Sequence, residues 1–265
     1  MALFRYSSPV HAPASPPPID PDLLLLAYRS GIFPMADTRS DPEVFWVEPR
    51  RRGVLPLDGF HCSHSLARVL RRGTFAVTCN AAFDQVIAAC AGPRRDGGDT
   101  WISGRIEASY RALHAEGHAH SLECWHGGAL VGGLYGVGFD RVFCGESMFS
   151  RVPDASKVAL AWLVAALRRG GTRLLDCQFI TPHLATMGAV EIDEADYLER
   201  LRAAQVSTDG LAAADGLGVG GAEGLVAGAP LALPAGFAAL LDDAAGAGLS
   251  SSPGNFIAHS LTQTS

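Results

Sequence analysis

Three polar residues, Glu146, Asp176 and Gln178, lie in apolar segments and could form a reactive site if their side chains lined one cleft. Carboxylates can hold a positive charge, and a glutamine amide can both donate and accept hydrogen bonds. A cleft lined by all three residues could therefore bind and orient a polar or cationic group. The alternative is that Asp176 and Gln178 simply end a strand in water.

The segments around these residues predict two strands joined by a helix. Residues 142–149 and 173–179 are rich in β-branched, aromatic and aliphatic side chains. Because side chains alternate along a strand, Glu146 and Met148 are expected on one face of the first strand, and the other two polar residues on one face of the second. Residues 155–169 are apolar all round, which predicts a buried helix. A strand–helix–strand unit favours parallel pairing of its strands.

The other elements follow from caps, turns and periodicity. Helices are predicted at 21–30, 63–73, 80–91, 103–117, 182–188 and 194–204, and strands at 44–47, 54–57, 75–78, 120–125, 130–137 and 190–192. This order predicts an α+β fold with a mixed sheet flanked by helices, and it matches the architecture of acetyl-CoA-dependent N-acetyltransferases. Those enzymes bind the CoA pyrophosphate through a glycine-rich loop. Residues 150–157 contain no glycine and one proline, which disfavours CoA as the acyl carrier.

The composition is that of a globular protein, since 48% of the 265 residues are hydrophobic and 18% are charged. No apolar run is long enough to span a bilayer and the N-terminus has no apolar signal core, so we expect a cytoplasmic protein. The six cysteines form no Cys-x-x-Cys pair and are expected to be reduced. Residues 205–265 hold five acidic residues and no Lys or Arg, so five of the six net negative charges lie there. The net charge therefore does not exclude a polyanionic partner for the body.

Three arginines are candidates for phosphate contacts. Arg68, Arg71 and Arg72 fall three and four residues apart and share one helix face. Such a face suits a phosphate backbone, although a solvated surface is the more frequent explanation.

No metal site and no cofactor site are predicted. His118 and His120 could chelate an ion from one strand, but His114 at the end of a helix is poorly placed as a third ligand, and no set of Cys, His and Asp at a standard spacing accompanies them. The sequence also contains no Walker motif, dinucleotide fingerprint or nucleophile elbow.

Seven short motifs lie between about residue 20 and about residue 202. They are Gly31-Ile-Phe-Pro34, Thr100-Trp-Ile102, Gly117-His-Ala-His-Ser-Leu-Glu123, Leu130-Val-Gly-Gly-Leu-Tyr-Gly-Val137, Phe143-Cys-Gly-Glu-Ser-Met-Phe-Ser150, Ala155-Ser-Lys157 and Leu175-Asp-Cys-Gln178. In order and spacing they resemble the bacterial leucyl/phenylalanyl-tRNA–protein transferases of the N-end rule. The motif that ends at Ser150 is long enough to be specific.

The resemblance implies a domain organisation and an activity. It implies a small N-terminal domain at 20–60 and an N-acetyltransferase-like (GNAT-like) domain at 61–204, preceded by a flexible leader at 1–19. Residues 205–265 are expected to be a low-complexity Gly/Ala-rich extension, flexible apart from a helix near 236–245. The implied reaction moves Leu or Phe from Leu-tRNA or Phe-tRNA to proteins with an N-terminal Arg or Lys. We expect a monomer.

The resemblance also implies two binding surfaces. The residues that match the aminoacyl pocket of the family are Leu134, Phe143, Met148, Leu160, Leu163, Leu167 and Leu175. Two tryptophans lie near the 3′ adenosine in relatives, and the matching positions here are Trp101 and Met35. Because the pocket wall is aliphatic, leucine is expected to be preferred over phenylalanine.

For this reaction we predict that Gln178 orients the attacking amine, Asp176 polarises or orients Gln178, and Glu146 supplies negative charge near the cationic acceptor. The arginines at 68, 71 and 72, together with those at 50–52, are predicted to meet phosphates of the acceptor stem. A CoA-dependent N-acetyltransferase and a non-catalytic protein that binds charged tRNA are the alternatives.

Overall fold

The computed structural model describes residues 16–93, 98–205 and 230–262. Its helices are Pro21–Arg29 (α1), His64–Arg72 (α2), Phe83–Cys90 (α3), Gly104–Ala115 (α4), Ala155–Arg169 (α5), Pro182–Thr186 (α6), Glu194–Gln205 (α7), Leu233–Gly246 (α8) and Pro253–Thr262 (α9). Its strands are Phe33–Met35 (β1), Phe45–Val47 (β2), Arg51–Val54 (β3), Ala76–Cys79 (β4), Ala119–His126 (β5), Ala129–Phe139 (β6), Val142–Ser150 (β7), Leu174–Gln178 (β8) and Val190–Asp193 (β9). In these ranges no helix combines the length and the apolar character that a bilayer crossing requires.

Seven of the described strands form one mixed sheet, in the order β4-β5-β6-β7-β8-β3-β9. β7 and β8 are parallel neighbours joined through α5, as predicted, and the other neighbouring strands are antiparallel. The register places Cys144 opposite Asp176. The strands that carry Glu146 and Gln178 therefore lie side by side, and the α+β prediction with a mixed sheet is confirmed.

Helices cover both faces of this sheet. On one face α2, α5, α8 and α9 pack with Leu134 and Leu175, and we call this the α5 side. On the other face α1, α3, α4 and α7 pack with Tyr135 and Leu174, and we call this the α4 side. Neighbouring residues of one strand thus belong to opposite cores, as strand geometry requires.

Helix α5 is buried along almost its whole length, because it lies between the sheet and α8. The close approach of α5 to β6 depends on a glycine. A Cβ atom added to Gly132 would lie 2.5 Å from the Cβ of Ala155, which no real pair of Cβ atoms tolerates. Gly132 therefore allows α5 to lie this close to β6.

The N-terminal part joins the main sheet through β3. Asp20 caps α1 by accepting hydrogen bonds from the backbone N–H groups of Asp22 and Leu23. The predicted strand at 54–57 is wrong, because the strand begins at Arg51 and ends at Val54. β3 lies between β8 and β9. Its two arginines form ion pairs with acidic residues of these neighbouring strands, so the charged side chains can be accommodated in the sheet.

Residues 230–262 are folded onto the α5 side of the body. α8 contacts α5, α9 contacts α2, and the buried apolar side chains include Phe237, Leu240, Ile257 and Leu261. The predicted helix near 236–245 is confirmed by α8, whereas the expectation of flexibility is wrong for α9. Small residues permit the packing, since a Cβ atom on Gly236 would lie 2.4 Å from the carbonyl oxygen of Ala166. Most of the predicted leader lies outside the described residues, although Ile19 is buried and its N–H donates to Ser109.

Candidate active site

A cavity of about 450 Å³ opens beside β7 and β8. Its apolar wall is built by β6, β7, α5, β8 and α6 and consists of Leu134, Met148, Leu160, Leu163, Leu175 and Leu184. Its polar lining includes Glu146, Ser147, Gln178, Thr181 and His183. Such a cavity suits a ligand with an apolar side chain and a polar reactive group.

Gln178 ends β8 in a backbone conformation that is unusual for a side chain of its type. Its φ angle is +60°, in the left-handed region, where a residue other than glycine costs about 1–3 kcal/mol. Two carboxylates hold it there. The backbone N–H donates to Oδ1 of Asp176 at 2.8 Å, and Nε2 donates to Oε1 of Glu146 at 2.7 Å. Since the amide nitrogen is engaged by Glu146, the amide oxygen is the atom that can accept a hydrogen bond from an incoming group.

Asp176 is fully buried and forms an ion pair with Arg52. The guanidinium donates from Nε to Oδ1 at 2.9 Å and from Nη2 to Oδ2 at 2.6 Å, and it also donates to the carbonyl of Gly31. The hydroxyl of Tyr197 donates to Oδ2 as well, at 3.0 Å. Asp176 therefore acts on Gln178 through the main chain, whereas the side chain of Gln178 is oriented by Glu146.

The position of Arg52 contradicts the prediction that this arginine contacts phosphates. Its side chain is 1% exposed and lies between the rings of Phe33 and Tyr197, with ring centroids 4.8 and 4.3 Å from the guanidinium carbon. Burial lowers the pKa of Arg52, but the charge of Asp176 outweighs this effect and the net pKa is raised. Arg52 is thus a permanent cation that cannot reach a phosphate backbone. The neighbouring Arg51 is exposed and pairs with two acidic residues of β9.

Glu146 lies on a β-bulge. Gly145 and Ser147 pair with consecutive residues of β6, so Glu146 is the extra residue of β7. The bulge interrupts the alternation of side chains. Met148 packs on the α5 side, while Glu146 accepts a hydrogen bond from Tyr110 on the α4 side. The prediction that Glu146 and Met148 share a face is therefore wrong.

The surroundings of Glu146 set its charge. Burial has the largest effect and raises the pKa of Glu146. The hydroxyls of Tyr28 and Tyr110 and the amide of Gln178 lower it in part, the charge of Asp176 raises it, and the resulting pKa is about 7. A carboxyl group with this pKa changes its charge near neutral pH. Glu146 is therefore a titrating acceptor for the amide of Gln178.

The structure brings most of the predicted pocket together. Five of the seven pocket residues line the cavity: Leu134, Met148, Leu160, Leu163 and Leu175. Phe143 and Leu167 are buried in the same α5-side core but do not line it. Met35 and Trp101 both line the cavity. Arg68, Arg71 and Arg72 lie exposed on α2, and in the described part of the chain none of them has a salt-bridge partner.

Sequence reasoning missed Arg52, Tyr28 and Tyr110 as parts of the site. Burial of Tyr28 could have been predicted, because it follows Leu24 and Leu25 at helical spacing on one face of α1. Its contact with Tyr110 depends on how α1 and α4 pack, which no local pattern shows. Arg52 stands between Arg51 and Gly53 in β3, so its burial has no local signal, and only the strand order reveals its partner.

Two ranges of the chain match models of the same protein family. A family model described as leucyl/phenylalanyl-tRNA protein transferase matches residues 54–202, and a model of the N-terminal domain of that transferase matches residues 18–50. The leucyl/phenylalanyl-tRNA–protein transferase of Novosphingobium aromaticivorans is 66% identical over 261 residues, which cover 94% of this chain and 98% of that protein. The transferase of the same name from Rhizorhabdus wittichii is 58% identical over 75% of this chain and 80% of its own length. This chain therefore belongs to the leucyl/phenylalanyl-tRNA–protein transferase family.

Proposed function

We propose that this protein transfers leucine or phenylalanine from aminoacyl-tRNA to the N-terminal α-amine of proteins that begin with Arg or Lys, which marks them for degradation. The observation that carries the proposal is the cavity. Its leucine wall ends at Gln178 and Glu146, so an aminoacyl side chain bound against the wall presents its ester to a hydrogen-bond acceptor and a carboxylate. Membership of the family supports the same reaction.

The reaction is the aminolysis of an ester. The nitrogen of the α-amine attacks the carbonyl carbon of the aminoacyl group, and a C–N bond forms. The bond from that carbon to the ribose oxygen breaks, and the proton lost by the amine ends on the ribose oxygen. An ester converted to an amide supplies its own driving force, so the step needs no ATP.

The geometry supports a separate role for each of three residues. The amide oxygen of Gln178 accepts an N–H hydrogen bond from the amine and orients its lone pair toward the ester. Asp176 holds the left-handed backbone of Gln178, and its own charge is balanced by Arg52. Glu146 orients the amide of Gln178 and places negative charge near the cationic acceptor.

We propose that residues 61–204 form a GNAT-like domain behind a small N-terminal domain at 20–60, and that the protein works as a cytoplasmic monomer without a cofactor. The loop at 150–157 lacks the glycines of a CoA pyrophosphate site, which supports tRNA as the acyl carrier.

The test is transfer of labelled leucine from Leu-tRNA to a protein that begins with Arg, compared with the same protein beginning with Ala. Label in the Arg-starting protein alone is the expected result. Deacylation or binding of Leu-tRNA without label in either protein would instead indicate a non-catalytic tRNA-binding protein. Low-micromolar binding of acetyl-CoA by calorimetry would indicate an N-acetyltransferase.

We propose that the exposed arginines of α2 contact phosphates of the acceptor stem. Reversing the charge of Arg68 and Arg72 to Glu should weaken tRNA binding and reduce its salt dependence, because phosphate contacts release counterions. Use of a minimal aminoacyl-adenosine donor should not change. Binding is measured by filter retention at several salt concentrations. Arg200→Glu with Arg202→Glu is the matched control, since it makes the same charge change on α7, across the sheet. Equal losses in both pairs would contradict a specific surface.

The aliphatic wall predicts the order of preference among donors. Leucine and phenylalanine each gain about 1.5–3 kcal/mol from apolar burial, whereas an unpaired polar side chain loses a few kcal/mol. With Leu160 and Leu163 side by side on α5, we expect Leu-tRNA to outcompete Phe-tRNA in a mixed reaction with two labels. Leu163→Ala should shift the ratio toward Phe by enlarging the cavity. Preference for Phe in the unmodified protein would refute the order, and efficient transfer of a charged residue would refute the pocket.

A further inference from the structure

Two buried tyrosines connect the N-terminal helix to the carboxyl group of the site. The hydroxyl of Tyr110 on α4 donates to Oε2 of Glu146 at 2.9 Å, and the hydroxyl of Tyr28 on α1 is hydrogen-bonded to that of Tyr110. Both tyrosines are at most 1% exposed. A hydroxyl carries one proton, so Tyr110 donates to Glu146 and accepts from Tyr28. The chain therefore runs from Tyr28 through Tyr110 to Glu146.

The two oxygens of Glu146 thus face two donors. Oε2 faces the hydroxyl of Tyr110, and Oε1 faces Nε2 of Gln178 at 2.7 Å. A proton on either oxygen would meet a donor that is already directed at it. If Oε1 were protonated it would become a donor, and the amide of Gln178 would rotate to accept that hydrogen bond through its oxygen. The NH₂ group would then occupy the place where the proposed reaction needs an acceptor oxygen. The arrangement therefore fits only the carboxylate form.

We propose, on the basis of the function proposed above, that Tyr110 and Tyr28 are positioning residues that hold Glu146 as a carboxylate with one oxygen directed at the amide of Gln178. Neither tyrosine touches the substrate in this scheme. They act on the reaction through Glu146, and they set the lowest pH at which the amide of Gln178 keeps its productive orientation.

The other ionisable groups around Glu146 are consistent with this role. They are Tyr135 on β6, Cys144 on β7, Asp176 on β8 with its partner Arg52 on β3, Tyr197 on α7 next to Asp176, and His183 on α6 in the lining of the same cavity, while Cys90 on α3 and Glu107 on α4 interact with Tyr135. Burial raises the pKa of each of these tyrosines and cysteines, which stay neutral at pH 7. Burial likewise raises the pKa of Tyr28 and Tyr110 well above 10, so both remain donors. Within this cluster Glu146 is the group that titrates near neutral pH, with a pKa of about 7.

The test is the pH dependence of labelled leucine transfer in Tyr110→Phe and Tyr28→Phe, measured as initial rates between pH 5.5 and about 8.5. Tyr110→Phe removes a hydrogen bond to the charged form of Glu146. Such a loss should raise the midpoint of the acid limb of the pH–rate profile by about one pH unit. Tyr110→Phe should therefore be about fivefold slower at pH 7 and approach the unmodified rate at the alkaline end. Tyr28→Phe should shift the midpoint in the same direction, because the hydroxyl of Tyr28 also lowers the pKa of Glu146. Ionisation of the acceptor amine affects all variants equally and cancels in the comparison.

Tyr135→Phe is the matched control. The ring of Tyr135 contacts that of Tyr110, and its buried hydroxyl has no hydrogen-bond partner among the residues that the structure describes. The midpoint of the acid limb should be the same in Tyr135→Phe as in the unmodified protein, whatever the rate of transfer by this variant. Superimposed acid limbs for Tyr110→Phe and the unmodified protein would overturn the inference and leave the proposed function standing. A loss of equal size at every pH would overturn it as well, since it indicates a purely structural role. Absence of transfer by the unmodified protein would refute the proposed function itself, and the inference with it.

Discussion

Replacement of Gln178 by alanine is expected to slow transfer of leucine to an Arg-starting protein by about a hundredfold, within a range of roughly tenfold to a thousandfold. The amide of Gln178 is aimed by Glu146 and its backbone is fixed by Asp176, so its oxygen is available at a defined position before the amine arrives. The loss should fall on the rate constant and leave the KM for Leu-tRNA nearly unchanged, because the contact is made with the attacking amine. Single-turnover transfer with saturating Leu-tRNA measures it.

The matched control is Gln205→Ala. Gln205 is a half-buried glutamine at the end of α7 whose amide donates to the carbonyl of Arg29, away from the cavity. It loses the same atoms and one hydrogen bond, and it should transfer leucine at the unmodified rate. Unmodified activity in Gln178→Ala would refute the role given to that residue. An equal loss in Gln205→Ala would trace the effect to folding.

The β7–α5–β8 unit could be predicted from the sequence because its signals are local. Two apolar strands flank a helix that is apolar all round, and such a helix has to be buried against a sheet. The parallel pairing that brings Glu146 near Gln178 follows from that unit. The bulge at Glu146 does not follow, since it depends on the register between β7 and β6. One extra residue was enough to reverse the predicted face of Met148.

Other features depend on residues that are distant in the chain. The helix predicted at 80–91 begins at Phe83 instead, because Asn80 adopts a positive φ angle and its side-chain oxygen accepts a hydrogen bond from the backbone N–H of Ser121. The N–H groups of Ala81 and Ala82, which precede the helix, donate to Glu123 on β5. Likewise, the Gly/Ala-rich composition predicts a helix near 236–245 but flexibility for the rest of 230–262. The segment becomes ordered because the small residues match the surfaces of α5 and α2.

The ion pair between Arg52 and Asp176 gives the prediction with the largest effect on stability. Arg52→Met should lower the free energy of unfolding by about 3–5 kcal/mol, because it leaves the carboxylate of Asp176 buried without its cation. Asp176 has 0% exposure and therefore cannot recover water as a partner. Transfer activity of the protein that remains folded should also fall, since Asp176 no longer holds the backbone of Gln178 in a fixed position. Urea denaturation at pH 7 measures the first effect, and leucine transfer below the unfolding transition measures the second.

The adjacent arginine supplies the control for this prediction. Arg51 makes two ion pairs with Glu191 and Asp193, but its side chain is 52% exposed, and exposed pairs contribute about 0–1 kcal/mol. Arg51→Met should therefore unfold close to the unmodified midpoint. The double variant Arg52→Met with Asp176→Asn removes both charges and keeps an acceptor for the N–H of Gln178, so it should be less destabilised than the sum of the two single changes. A loss in Arg52→Met no greater than in Arg51→Met would show that the buried pair does not stabilise the site. Additive losses in the double variant would show that the two charges do not act on each other.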